Sequence, residues 1–424
     1  MKFAFLMSPA VSHTNFLSAL AIKAKNMGDE VIIYLPGTKN TLIRKIVNNP
    51  ALKIDIKLEE IGLACRLIPL SLYQGMLGEK IKKKRGLEET LFALKVFSAG
   101  AKKYTNYLVN EFKKEKPTAI IYDYTFFPAI AVSEKLNIPR IAIYHSGLPF
   151  LEYPIPPMGS QYKYGEISQT EFDDFLKLRD EEEAKAKNKF EEIIKQKIEI
   201  DFLASPSSDI LNIANSIKET EYPRKELSDN IHFVGSSILD NNNLDDELPI
   251  NNQEKKLIYV SLGTVFNKQP DLFIKIINSI DIPNVEIIVS SGASYKKLKS
   301  CKFNPNVHIK KFISNVFSVL KNSEVFITHG GKNSINEALK FGVPMILFPA
   351  GGEQEYNANL VEYHHLGKNF SNIMNDFTNK DMNDAIKFLL NDKQVRNSVE
   401  TMVRKHENID GASNTYELIK KLNF

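Results

Sequence analysis

The sequence predicts an α/β protein of two parallel-sheet domains, and three observations carry that reading. Apolar runs too short for helices alternate with longer amphipathic stretches, the alternation stops and restarts once, and 424 residues are enough to bury two cores. Strands buried on both faces of a parallel sheet read as near-continuous apolar runs, and residues 3–7, 31–35, 119–122 and 141–144 fit that description in the first half. Residues 257–261, 286–290, 325–328 and 345–348 repeat it in the second half. After the first run, Phe16, Leu17, Leu20, Ala21 and Ala24 recur at helical spacing, which gives the strand-then-helix unit of a Rossmann-like domain with right-handed crossovers.

The break is rich in Asn and Asp: Asp240-Asn241-Asn242-Asn243-Leu244-Asp245-Asp246, then Pro249 and Asn251-Asn252, with no apolar period. Domains are therefore expected at 1–235 and 256–400, joined by a linker at 236–255 that serves as a hinge. A helical segment at 401–424 is expected to pack back towards the first domain. Residues 172–200 read as a charged helix in which Glu181 and Lys185, Glu183 and Lys187, and Glu191 and Lys195 stand in the favourable i,i+4 order, worth about 0.3 kcal/mol each.

Composition removes several classes of function. The 55 Lys and Arg against 51 Asp and Glu leave a net charge of +4, too small and too evenly spread for a nucleic-acid partner. The two cysteines, Cys65 and Cys301, form neither a disulfide framework nor the paired spacing of a zinc site, and they fit a reducing compartment. Polar Ser8, Ser12 and His13 interrupt the apolar start too early for a secretory leader, and no stretch of about 18 apolar residues occurs. A cytoplasmic protein is expected. Lys82-Lys83-Lys84-Arg85 is the one basic run, expected to give at most weak peripheral contact with anionic lipid.

The most informative stretch is Val325-Phe326-Ile327-Thr328-His329-Gly330-Gly331-Lys332-Asn333-Ser334-Ile335-Asn336-Glu337. A buried strand ends, two glycines turn, and a helix begins, so backbone N–H groups and the positive end of a helix dipole meet at the carboxyl edge of a parallel sheet. An anion is the natural guest. His329, Asn333 and Ser334 add donors, while Glu337, one turn deeper on the face of Asn333, can accept from ribose hydroxyls. The same residues also suit a plain strand–turn–helix in which the glycines only relieve crowding. A second buried strand at 345–348 is followed by Glu353-Gln354, a pair able to clamp sugar hydroxyls.

In the first half, His13 and Asp123 each follow a buried run at its carboxyl end. A histidine oriented by a carboxylate is a standard general base, although each residue alone also reads as a helix cap or loop hydrogen bonder.

Residues 312–367, with His329-Gly330-Gly331, Asn333-Ser334, Glu337-Ala338, Gly342-Val343-Pro344, Pro349, Glu353-Gln354 and Asn357-Ala358, resemble the donor signature of the UDP-glycosyltransferase superfamily. The likeness is to its bacterial macrolide and flavonoid glycosyltransferase-like branch. Ser261-Leu262-Gly263-Thr264 is similar to the family's loop near the phosphates, and Ser12-His13 to its amino-terminal Gly-His region. The resemblance implies a GT-B fold, two Rossmann-like domains facing across a cleft, the first binding acceptor and the second nucleotide sugar. It implies that His13 and Asp123 are the catalytic dyad and that Gly263, Thr264, His329, Gly330, Gly331, Asn333 and Ser334 surround the diphosphate. Glu337 would bind ribose, and Glu353 with Gln354 the sugar.

The sequence departs from the pattern where plant members carry a base-stacking Trp and a Pro-Gln: here stand Phe312, Ser314 and Asn315, with the Phe312 ring in the stacking place. Glu353 replaces the commoner Asp, and Ser12 the commoner Gly.

The expected activity is inverting, metal-independent transfer of a hexose, glucose favoured, from a UDP-sugar or dTDP-sugar to a hydroxyl of a small lipophilic acceptor. No Asp-x-Asp occurs, and the nucleotide sugar is a co-substrate with no separate cofactor or metal. His145, Phe150 and Tyr153 are the candidate acceptor contacts. The alternatives are a nucleotide-sugar-binding protein without catalysis, a nucleotide-sugar epimerase, or a dinucleotide oxidoreductase, the last lacking any Gly-x-Gly fingerprint.

Overall fold

The computed structural model describes residues 1–8, 10–39, 58–69, 71, 76–77, 80–81, 84–237, 255–263, 267–407 and 409–424. They form two units, Met1–Leu239 with Ile409–Phe424, and Asp240–Asn408. Residues 238–254 of the expected linker lie outside the described residues, as do Lys82, Lys83 and Thr264.

The first unit is a seven-stranded parallel sheet in the order β3-β2-β1-β4-β5-β6-β7. Its strands are β1 (Lys2–Leu6), β2 (Glu30–Gly37), β3 (Cys65–Pro69), β4 (Ala119–Asp123), β5 (Arg140–Tyr144), β6 (Leu211–Ala214) and β7 (Ile231–Phe233). The pleat sorts each strand's side chains onto two faces. Leu6, Tyr34, Tyr122 and Tyr144 enter one core with Leu108 and Phe112 of the helix Ala101–Glu115. Phe5, Ile33, Ile121, Ile143 and Ile213 enter the other, with Phe16, Leu17 and Leu20 of the helix Val11–Asn26. Both faces are covered, which explains the unbroken apolar runs.

The helix Gly411–Lys420 completes the second of these cores through Ala412, Tyr416 and Ile419. Tyr416 hydroxyl donates to Asp29 at 2.6 Å and Asn414 Nδ2 to the Val234 carbonyl at 3.1 Å. Gly411 lies so close to the Gly235 carbonyl that a β-carbon there would overlap it. The crossing differs from the expected boundary at 401: the helix Lys393–His406 stays in the second unit against the helix Lys332–Lys340, and the return starts at Ile409. Val395, Val399 and Met402 are buried there, and Val399 and Val403 close over Gly342.

The charged helix runs Gln169–Ile194, opened by a Ser168–Glu171 capping box and closed by Lys195 in a left-handed conformation. Its ion pairs differ from the i,i+4 expectation. Lys185 bonds Glu182, Glu191 bonds Lys197, and Glu183 is buried, accepting from the backbone N–H groups of Phe202 and Leu203. Unpaired N–H groups of a buried loop outbid a solvated lysine for that carboxylate. Of the basic run, Lys84 pairs with Glu88 and Arg85 bonds the Lys84 carbonyl.

The second unit is a six-stranded parallel sheet in the order β10-β9-β8-β11-β12-β13. These strands are β8 (Lys256–Ser261), β9 (Val285–Ser290), β10 (Val307–Lys310), β11 (Val325–Thr328), β12 (Met345–Leu347) and β13 (Gly367–Asn369). No helix among the described residues is long and apolar enough to cross a membrane.

Candidate active site

In each unit a group of the sequence-predicted residues lies at the carboxyl ends of the central strands, where the order of a doubly wound sheet reverses. In the first unit, neighbouring β1, β4 and β5 deliver three groups to one point. Asp123 is the last residue of β4 and wholly buried. Its Oδ1 accepts from Thr125 N at 2.9 Å and Thr125 Oγ1 at 2.7 Å, and its Oδ2 lies 2.8 Å from His13 Nδ1. Ser8 Oγ, just past β1, bonds Thr125 Oγ1 at 2.8 Å. Burial would raise the Asp123 carboxyl. The adjacent His145 and His13 imidazoles and the hydrogen bonds from His13 and Thr125 outweigh burial and hold it well below the usual carboxylate range. An ionised carboxylate only accepts, so His13 Nδ1 carries the hydrogen.

His13 lies inside the first turn of a helix that starts at Val11. Ala10 in extended conformation is the cap, and the N–H groups of His13 and Thr14 already reach its carbonyl at 3.1 Å.

Of the candidate acceptor contacts, His145 belongs to this cluster, Phe150 is linked to it through rings, and Tyr153 packs elsewhere. The His145 ring lies 3.6 Å from that of His13 and 5.2 Å from that of Tyr124. Tyr124 meets Tyr144 at 5.1 Å, and Tyr144 meets Phe150 at 5.3 Å. Tyr153 instead stands edge-on to Phe172 of the charged helix at 5.8 Å. His145 is buried, and burial, then the His13 ring, outweigh the attraction of Asp123 and push its imidazole down to about 3.

In the second unit, β11 ends at Thr328, and His329, Gly330 and Gly331 turn the chain into the helix Lys332–Lys340. The glycines are set by the His329 ring and by backbone conformation. A β-carbon on Gly263, just past β8, would lie 2.6 Å from His329 Nε2, and one on Gly331 would lie 2.7 Å from it. Gly263 and Gly330 adopt φ of +73° and +83°, which L side chains resist. Burial pushes His329 down to about 4, leaving a neutral hydrogen-bonding ring, and pushes the Glu337 carboxyl up to about 7. Asn333, Ser334 and Glu337 are half-buried on the first turns of that helix.

Of the remaining candidates, Gln354 and Asn315 make local hydrogen bonds. Gln354 is buried, and its Oε1 accepts from the Ala350 N–H at 2.9 Å, so the residue expected to hold sugar braces its own loop. Glu353, half-buried, begins the helix Glu353–Tyr363. Asn315 Oδ1 caps the helix Val316–Leu320, accepting from Ser318 N at 3.2 Å, with Ser314 half-buried before it. Phe312 is 70% exposed, an apolar ring presented to solvent beside β10.

Sequence reasoning missed Thr125 and Asn267. Asp123-Tyr124-Thr125 past a strand is the pattern of an Asp side chain bonding its own backbone two residues on, a signal that would have found the first. Asn267 Nδ2 donates to the Gly263 carbonyl at 2.7 Å. It carries no local signature. Asn357, which the sequence signature includes, donates from Nδ2 to the Gly330 carbonyl at 3.0 Å.

Among the described residues the one His/Asp group close enough to hold a metal ion is His13, Asp123 and His145, with donor atoms within 4.8 Å of one another. The centroids of the two imidazole rings lie 3.6 Å apart, tilted by 42°.

Residues 182–410 match the family described as UDP-glucoronosyl and UDP-glucosyl transferase. NDP-glycosyltransferase YjiC of Bacillus subtilis (strain 168) is 27% identical over 301 residues, 71% of each chain. 4'-Demethylrebeccamycin synthase of Lentzea aerocolonigenes is 22% identical over 330 residues, 72% of this chain and 73% of that one. The solved structure of the glycotransferase of kitacinnamycin superposes with a TM-score of 0.75 at 17% identity, covering 99% of this chain and 98% of that one. Spinosyn rhamnosyltransferase SpnG complexed with thymidine diphosphate gives 0.70 at 13% identity, covering 99% and 100%. The two parallel sheets thus have the GT-B fold, and the chain belongs to the UDP-glucoronosyl and UDP-glucosyl transferase family of glycosyltransferases.

Proposed function

We propose that this glycosyltransferase transfers a hexose, glucose favoured, from a UDP-sugar to a hydroxyl of a small lipophilic acceptor, with inversion and without a metal. The observation that carries the reading is the 2.8 Å contact between His13 Nδ1 and an ionised, buried Asp123. With Nδ1 committed to the carboxylate, the acceptor O–H proton passes to His13 Nε2 while the acceptor oxygen attacks the anomeric carbon opposite the nucleotide. The bond from that carbon to the diphosphate oxygen breaks, and the electron pair leaves on the diphosphate.

That leaving charge is met by the N–H groups opening the helix Lys332–Lys340, by Asn333 and Ser334, and by His329 as a neutral donor. Glu337 accepts from ribose hydroxyls, Glu353 takes the sugar, and Phe312 stacks on the base. The chain of rings from His145 to Phe150 supports a lipophilic acceptor. The reading places the protein in the cytoplasm.

A dTDP-sugar is the second donor to try, because thymidine diphosphate is the ligand of the SpnG structure. The test is incubation with UDP-glucose or dTDP-glucose and a panel of hydroxylated aromatic acceptors, read by mass spectrometry and by the anomeric proton signal. A β-glucoside from the α-linked donor is expected. An α-glucoside contradicts inversion, and transfer confined to protein or polysaccharide contradicts the acceptor class.

A further inference from the structure

His145 is an anomaly as a packing residue. It follows β5 directly, is buried, and neither ring nitrogen has a hydrogen-bond partner. A buried polar group left unpaired costs about 1–3 kcal/mol, so a phenylalanine would fill the same space with less penalty. What the imidazole adds lies beside it. Three of the four lone-pair directions of Asp123 are taken, two by Thr125 and one by His13. The unfilled direction belongs to Oδ2; His145 Nδ1 stands 3.6 Å from Oδ1, the oxygen that Thr125 already occupies, just beyond hydrogen-bond length. The same ring lies against the His13 ring at 3.6 Å and 42°.

We infer that His145 is the positioning residue of the dyad: its Nδ1–H dipole faces the Asp123 carboxylate from 3.6 Å at Oδ1 while its ring packs against the His13 ring at a 42° tilt. The inference rests on His13 being the base. As His13 takes the acceptor's proton, the new positive charge is held between the Asp123 carboxylate and an uncharged imidazole face. A charged neighbour there would repel it. Among the described residues, the titratable groups recorded against His145 are Asp123, His13 and Tyr124, the last with its ring 5.2 Å away.

Three variants separate the two contributions. His145→Phe keeps a ring and loses the N–H, His145→Asn keeps a donor at the position of Nδ1, and His145→Ala loses both. Expected are kcat losses of about 10–100-fold in the Phe and Ala variants with the KM for UDP-glucose unchanged, and recovery of most of that loss in the Asn variant. A folded Ala or Phe variant with wild-type kcat, or an Asn variant no better than Ala, overturns the inference.

Should the variants not fold, the ¹⁵N-edited imidazole spectrum of the intact wild-type protein decides. A neutral His145 with its hydrogen on Nδ1 from pH 5 to 9 is expected, and a protonated ring or a hydrogen on Nε2 overturns it. His13→Ala runs alongside: if that variant remains active, the base assignment has failed, whatever His145 does.

Discussion

The two candidate regions sit at the same place in two similar sheets and are built in opposite ways. At the ends of β1, β4 and β5 the working parts are side chains, buried or half-buried and close to one another: Ser8, Thr125, Asp123, His13 and His145. At the ends of β8 and β11 the working parts are backbone, and the sequence clears side chains away, with Gly263 and Gly331 flanking the His329 ring. The difference teaches what each task needs. Moving a proton requires one nitrogen held in one tautomer beside a fixed charge. Receiving a diphosphate requires several N–H groups to come close, which β-carbons would prevent.

If the division of labour holds, changes in the first region alter rate and changes in the second alter nucleotide affinity. The largest effect is expected at the dyad: His13→Ala removes the base and lowers kcat about 10²–10⁴-fold in a glucosyl-transfer assay. Next comes Gly263→Ala. A side chain there meets His329 and takes on a left-handed conformation costing about 1–2 kcal/mol, so uridine diphosphate affinity by calorimetry falls roughly tenfold with thermal stability.

Glu337 gives a smaller, pH-dependent signal. Its carboxyl loses its proton near pH 7 and binds ribose hydroxyls as an acceptor, so wild-type affinity rises from pH 6 to pH 8, while Glu337→Gln gives a flat profile. The two neutral histidines respond to acid alike. His145 and His329 lie below the ordinary 6.5 in the folded chain, so the unfolded chain takes their protons first. Stability falls as pH drops below 6.5, and melting temperatures at pH 7 and pH 5 measure it. The smallest expected change is none: chelation by EDTA leaves turnover intact, whereas a strict Mg²⁺ requirement would break the comparison by assigning the leaving charge to a metal.

The comparison also marks what the sequence disclosed. Inner strands such as β1, β4, β8 and β11 were legible because burial on both faces demands unbroken apolar runs. The edges were not: β10 reads Val-His-Ile-Lys with no fully buried residue, and β13 reads Gly-Lys-Asn. Hydrogen bonding along a neighbour suffices to form them. β6 was hidden differently, because buried Asn212 breaks its apolar run while bonding Ser208.

In the site, the glycine turn was legible since its chemistry is local. The His13–Asp123 contact joins residues 110 apart and became legible only through family resemblance. Gln354 shows the limit of reading polar residues singly, because nothing in the sequence tells whether its amide meets a sugar or the Ala350 N–H.

The central claim is that rate and nucleotide binding reside in separate groups, and one measurement addresses it most directly: calorimetric binding of uridine diphosphate to His13→Ala, in the preparation whose transfer rate has been measured. The account predicts affinity within about twofold of wild type beside a rate lowered at least 10²-fold. A parallel loss of affinity and rate would contradict it.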